Sequence, residues 1–138
     1  MTPMTPAELS ALLALAFPDF HADDFAFEKV TESALRVRRR VGAKHLRPGG
    51  TVLGPALMEL ADMSAYFCVL APLGPAAFAL TTSLTIHFLR PPRMGDVIAH
   101  ARVLKRGRRL AVVEVILLTD GEDEPVAHAT VTFSIPGP

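Results

Sequence analysis

Between residues 55 and 70 the chain reads PALMELADMSAYFCVL, a stretch with few polar positions and no internal breaker. Leu57, Leu60, Ala61, Ser64, Ala65 and Cys68 recur at helical spacing. The pattern predicts a helix from Pro55 to about Leu70, apolar nearly all round and therefore buried. Pro55 suits its first turn, and Ala71-Pro72-Leu73-Gly74-Pro75 ends it. On either side the period is two. Leu35, Val37, Arg39 and Val41 alternate with Arg36, Arg38 and Arg40, which reads as a strand with one basic face. Beyond the helix, Leu80, Leu84, Ile86 and Phe88 alternate with Thr81, Ser83, Thr85 and His87, so the hydroxyls are expected to face away from the apolar side. Val97–Leu104, Leu110–Leu118 and Val126–Ile135 supply three more strands, with Gly107 and Asp120-Gly121-Glu122-Asp123 at the connections. A shorter helix is expected near the N-terminus, where Thr5, Pro6 and Glu8 give a cap, a first-position proline and an early acid, running to about Phe17.

This order of helix, strand, buried helix and four consecutive strands predicts an α+β fold, an antiparallel sheet wrapped around one long central helix. The 138 residues suit one domain, with 1–20 as an N-terminal helical segment. A lone curled sheet leaves edges exposed, so pairing between copies is expected, a homodimer assembling to a homotetramer. Fourteen basic residues balance fourteen acidic ones, which provides no field for nucleic acid or an anionic membrane. No aromatics interleave with the arginines, which also argues against nucleic acid. The apolar run at Ala11–Phe17 is too short to span a membrane and lacks the basic leader of a signal peptide. One cysteine, Cys68, forms no internal disulfide, and a cytoplasmic location follows as the expectation. Within the buried helix Cys68 reads as a small hydrophobe.

Candidate chemistry concentrates between Lys44 and Asp62, KHLRPGGTVLGPALMELAD. Gly49, Gly50 and Gly54 either merely permit a tight turn or expose helix N-terminal amides, led by that of Gly54, to an oxyanion or polarised carbonyl. Glu59, Asp62 and Tyr66 share one helix face. An acid in so apolar a helix needs a partner or a task. For Asp62 the plain alternative is a carboxylate bonded to backbone amides; for Glu59 it is a favourable position in the helix dipole. His87, His100 and His128 have no metal-ligand spacing and read as structural, so no metal and no cofactor is expected.

The pattern GTVLGP followed by Asp62, then TTSLTIHFLRP, GD, GRR and VAHATVTFSIP, resembles the hot-dog thioesterases of the phenylacetate-pathway type over roughly Val41 to Pro136. The resemblance implies hydrolysis of an acyl-CoA thioester, with coenzyme A part of the substrate. It implies that the Gly54 amide polarises the thioester carbonyl and that Asp62 attacks it or activates water. Thr81, with Thr82 beside it, takes the place of a Ser or Thr contributed by the neighbouring protomer. The family's loop His is Leu53 here, its second glycine is Pro55, and its Asn aligns with Arg47. Arg47 and His45 stand as replacement substrate contacts. Lys105, Arg106, Arg108 and Arg109 on one turn, with Arg90 and Arg93 in a second patch, suit the phosphates of coenzyme A, though a basic turn is equally often only solvated.

Two other readings stand beside this one. His45 and Glu59 lie fourteen residues apart, as in hot-dog dehydratases acting on 3-hydroxyacyl thioesters, where a His takes the proton alpha to the carbonyl. A non-catalytic acyl-thioester binder would also fit the altered His and Asn positions.

Overall fold

The computed structural model describes residues 2–74 and 79–136; Pro75, the last residue of the predicted helix terminator, lies outside them. The chain opens with α1 (Pro6–Ala16). Its cap is reciprocal: the Thr5 hydroxyl accepts from the Glu8 amide at 3.2 Å, and the Glu8 carboxylate accepts from the Thr5 amide at 3.0 Å. Leu9 and Leu13 bury one side of α1, and the Met4 amide donates to the Ala71 carbonyl, tying this segment to the end of the long helix.

That helix, α2 (Gly54–Leu70), starts one residue before the predicted Pro55. Leu57, Leu60, Ala61, Ser64, Ala65 and Cys68 are all buried, as their spacing requires. Six antiparallel strands wrap it: β1 (Phe25–Val30), β2 (Ala34–Arg39), β3 (Leu80–Phe88), β4 (Val97–Arg106), β5 (Leu110–Thr119) and β6 (Ala127–Ser134). They lie in the order β1-β2-β4-β5-β6-β3; α2 packs chiefly on the other five strands and α1 on β1, whose Phe27 also meets Phe67 of α2 edge-on at 5.3 Å. This is the hot-dog arrangement. Alternate residues of β5 and β6, such as Val113, Val115, Leu117, Val131 and Phe133, close the core against the helix.

Two departures from the expected pattern matter. Strand β1 was not anticipated: Phe25 and Phe27 do alternate inward, but a register shift between Phe27 and Lys29 ends the alternation after three residues. In β3 a register shift falls between Thr81 and Ser83. Leu84 pairs with inward-facing Val131, whereas Thr81 pairs with inward-facing Phe133 and Leu80 with outward-facing Ser134. The extra residue at Thr82 therefore reverses the inside–outside alternation. Thr81 turns toward the helix, and Leu80, expected inside, is 55% exposed. β3 is also an edge, and its outer side carries no strand among the described residues.

Candidate active site

The reversal in β3 brings Thr81 to the middle of α2. Its hydroxyl donates to Asp62 Oδ1 at 2.9 Å, within one chain. The expectation that Thr81 comes to Asp62 from a neighbouring protomer is thus corrected, because the bulge aims the hydroxyl at its own helix. The pair sits on a cleft of about 240 Å³ walled by Phe17, Phe20, Met63, Tyr66 and Phe67. Tyr66 meets Phe67 edge-on at 5.1 Å and Phe17 at 5.7 Å, so the wall is a locked aromatic surface. Burial raises the Tyr66 phenol, which keeps it neutral at physiological pH. Thr82, the bulged residue, instead donates to the Thr132 carbonyl at 3.2 Å and stays on the sheet.

The start of α2 forms a second half-site. Residues 45–53 make a tight excursion, with the Leu53 amide on the His45 carbonyl at 2.7 Å and the Arg47 amide on the Thr51 carbonyl at 2.8 Å. Gly49 and Gly50 at its tip have φ of 102° and 84°, conformations that favour glycine. Ala56 and Leu57 both donate to the Leu53 carbonyl, and Pro55 has no N–H. The Gly54 amide is therefore the one donor left open at the helix start, with no acceptor among the described residues. It faces a cleft of about 420 Å³ that Arg47, Phe88 and Arg90 also line. Arg90 is partly engaged there, by the Pro125 carbonyl and by Glu124 at 3.3 Å.

Gly54 and Asp62 do not converge within one chain. Eight residues of helix separate them by about 12 Å along the axis, far beyond reach of one carbonyl. The basic turn lies farther still. Arg106 caps the other end of α2, donating to the Val69 carbonyl at 3.1 Å. Lys105, Arg108 and Arg109 are exposed beside it, about 22 Å along the axis from Gly54.

His45 and Glu59 are both committed elsewhere. His45 is buried, and its Nδ1 accepts from the Gly42 amide at 2.9 Å. Burial, and then the charge of Arg39, lower its pKa and keep it neutral. Glu59 accepts from Arg39 at 2.6 Å in an ion pair that the sequence did not disclose. The Arg39 side chain is 7% exposed, lies 4.7 Å over the Phe25 ring, and also reaches the Ala56 carbonyl at 3.4 Å. His45 and Glu59 line one small cleft, yet an acid so paired is poorly placed to manage a departing hydroxyl. Burial pushes the Cys68 thiol up to about 12, in keeping with an inert core residue.

Comparison with known proteins bears directly on this arrangement. The model of the thioesterase superfamily matches residues 49–126, from the glycine turn through β5. The chain belongs to the thioesterase superfamily. A Pseudomonas aeruginosa protein named "Putative esterase" is 33% identical to this thioesterase over 92% of the chain and 90% of its own length. The crystal structure of a "putative thioesterase" from Silicibacter sp. TM1040 superposes with a TM-score of 0.91 at 40% identity, covering 99% of this chain and 95% of that one. Zebra fish thioesterase superfamily member 2 shares the fold, with a TM-score of 0.85 at 20% identity over 96% and 99% of the two chains. This thioesterase is accordingly a thioester hydrolase with the hot-dog fold. No helix among the described residues is long and apolar enough to cross a membrane.

Proposed function

We propose that the protein hydrolyses acyl-CoA thioesters at a site completed by two copies of the chain. The observation that carries the reading is the Thr81–Asp62 hydrogen bond at 2.9 Å beside an aromatic cleft. Asp62 takes a proton from water while the water oxygen bonds to the thioester carbon. Charge gathers on the carbonyl oxygen, which needs a donor already in place. The open Gly54 amide is that donor, and the 12 Å of helix between the two requires that it come from the second copy. Collapse of the adduct breaks the carbon–sulfur bond, and the proton held by Asp62 passes to the leaving thiolate. Thr81 occupies one carboxylate oxygen and so orients the other.

The unpaired edge of β3 supports such a dimer. It is nine residues long, and Phe88 at its end and Leu89 just beyond are 52% and 50% exposed, as at an uncovered edge awaiting a partner strand. A pair of dimers then gives a homotetramer, in the cytoplasm. Arg47 and Arg90 line the Gly54 cleft, which supports a role for them in meeting the phosphates of coenzyme A, and Lys105 and Arg108 would meet them from another protomer. The test is release of free thiol from a panel of acyl-CoA esters by the wild type and Asp62→Asn. Loss of one acid–base group should lower kcat by about two orders of magnitude or more. Unchanged turnover in the variant would remove Asp62 from the mechanism, and binding without thiol release would make the chain a sensor.

A further inference from the structure

The cleft beside Asp62 is backed by another, of about 210 Å³, that reaches Phe25, Arg39 and His45. Phe20 and Glu59 line both. We infer that these two residues are a partition that limits the length of the acyl group, and that Phe20 is the specificity-determining one. The inference rests on the acyl-CoA hydrolase reading of the Asp62 cleft and adds its chain-length class, short acyl groups.

Each half of the partition is fixed in a different way. The Phe20 ring stacks on Phe17 at 5.6 Å with 19° between planes, and lies 6.4 Å from Phe25. Glu59 is held by Arg39 at 2.6 Å. For Glu59 to swing aside, a guanidinium more than nine-tenths buried, whose Nε already lacks a partner, would be left without its counter-charge. An arriving chain therefore meets a wall that does not yield. The two sides also differ in chemistry. In front are aromatic rings and Met63; behind are Arg39, buried His45 and the Lys44–Asp24 pair at 3.0 Å. Methylene groups pushed through would strip those polar groups of water without replacing it. Phe20 itself is half-buried and precedes the segment 49–126 shared with the family, so it is carried by a part of the chain separate from the helix that bears Asp62.

The experiment is kcat/KM for the series from acetyl-CoA to dodecanoyl-CoA with the wild type, Phe20→Ala and Phe20→Leu. The wild type should fall off steeply past one chain length, because a pocket rejects a surplus methylene by about ten- to two-hundred-fold. Phe20→Ala should move that limit to longer chains, raising the long-to-short ratio of kcat/KM by about tenfold or more. Phe20→Leu should shift it less, in the same direction. An unmoved limit in a variant that circular dichroism shows to be folded, or an equal loss for every ester, would overturn the partition. Should Phe20→Ala fail to fold, Phe20→Leu decides the matter by the same comparison. A wild type that hydrolyses no ester in the series sinks the hydrolase reading and the partition together, a result distinct from an active enzyme with an unmoved limit.

Discussion

The Arg39–Glu59 pair joins unequal partners, and that inequality predicts an asymmetric response to cutting it. The Arg39 side chain is 7% exposed and the Glu59 side chain 38%. Glu59→Met strands a buried cation, and removing one partner of a buried pair typically costs about 3–5 kcal/mol. Arg39 keeps the Ala56 carbonyl and the Phe25 face, so the low end, about 3 kcal/mol, is the expectation. Arg39→Met strands a carboxylate that rehydrates readily. Its pairing loss is that of a surface bridge, up to about 1 kcal/mol, with a cation–π contact of similar size added. The total is about 1–2 kcal/mol. Methionine preserves the aliphatic bulk and propagates a helix well, so packing and propensity stay nearly constant. The double variant leaves no stranded charge and should be clearly more stable than Glu59→Met alone. Urea unfolding followed by circular dichroism, at one protomer concentration throughout, measures all four corners of the cycle. Equal losses for the two single variants, or a double variant as unstable as their sum, would refute the assignment of the buried charge to Arg39.

Gly54→Pro removes the open N–H at a helical position that proline suits, and should lower kcat by about a hundred- to a thousandfold with little change in melting temperature; Gly54→Ala, which keeps the N–H and brings a Cβ 3.5 Å from the Phe88 ring, should lose far less, and comparable losses would show that the amide is not the donor. Hydrogen bonds from Arg36 and Arg38 hold Glu28 below the usual carboxylate range, and Arg38 does the same for Asp120. With folded pKa values depressed, the stability these groups contribute is present above their ordinary values near ~4 and is lost as pH falls through the lowered ones. Arg38→Met should therefore lower stability at neutral pH and flatten its decline on acidification, as thermal melts across pH would show.

The central helix was legible because a run of apolar residues without a breaker admits one reading, and its burial agrees residue by residue with the spacing. β1 was missed because its register shift leaves only Phe25 and Phe27 to announce it, beside the turn-like Asp23 and Asp24. Asp62 was visible as a carboxylate without an excuse in a buried helix. Arg39 was equally visible, a cation on the apolar side of an alternating strand, but its partner depends on how β2 crosses α2, and one-dimensional periodicity does not contain that crossing. For the same reason the place of the basic turn was not legible: its charges are plain in the sequence, while its position beside the C-terminal end of α2 is set by strand order.

The bulge at Thr82 means that the site is held by counting as much as by residue type. Threonines stand at 81 and 82, and which of them meets Asp62 depends on one inserted position being tolerated by β6. Ironing out the bulge with Thr82 retained would leave β3 as hydrophobic and as strand-forming as before, yet it would turn Thr82 and Leu80 inward and Thr81 outward. In sequence alignment the same slip is nearly invisible, since Thr simply replaces Thr. A relative scored as retaining the hydroxyl can therefore have lost it in space, and a relative scored as lacking it can present one from the next position along.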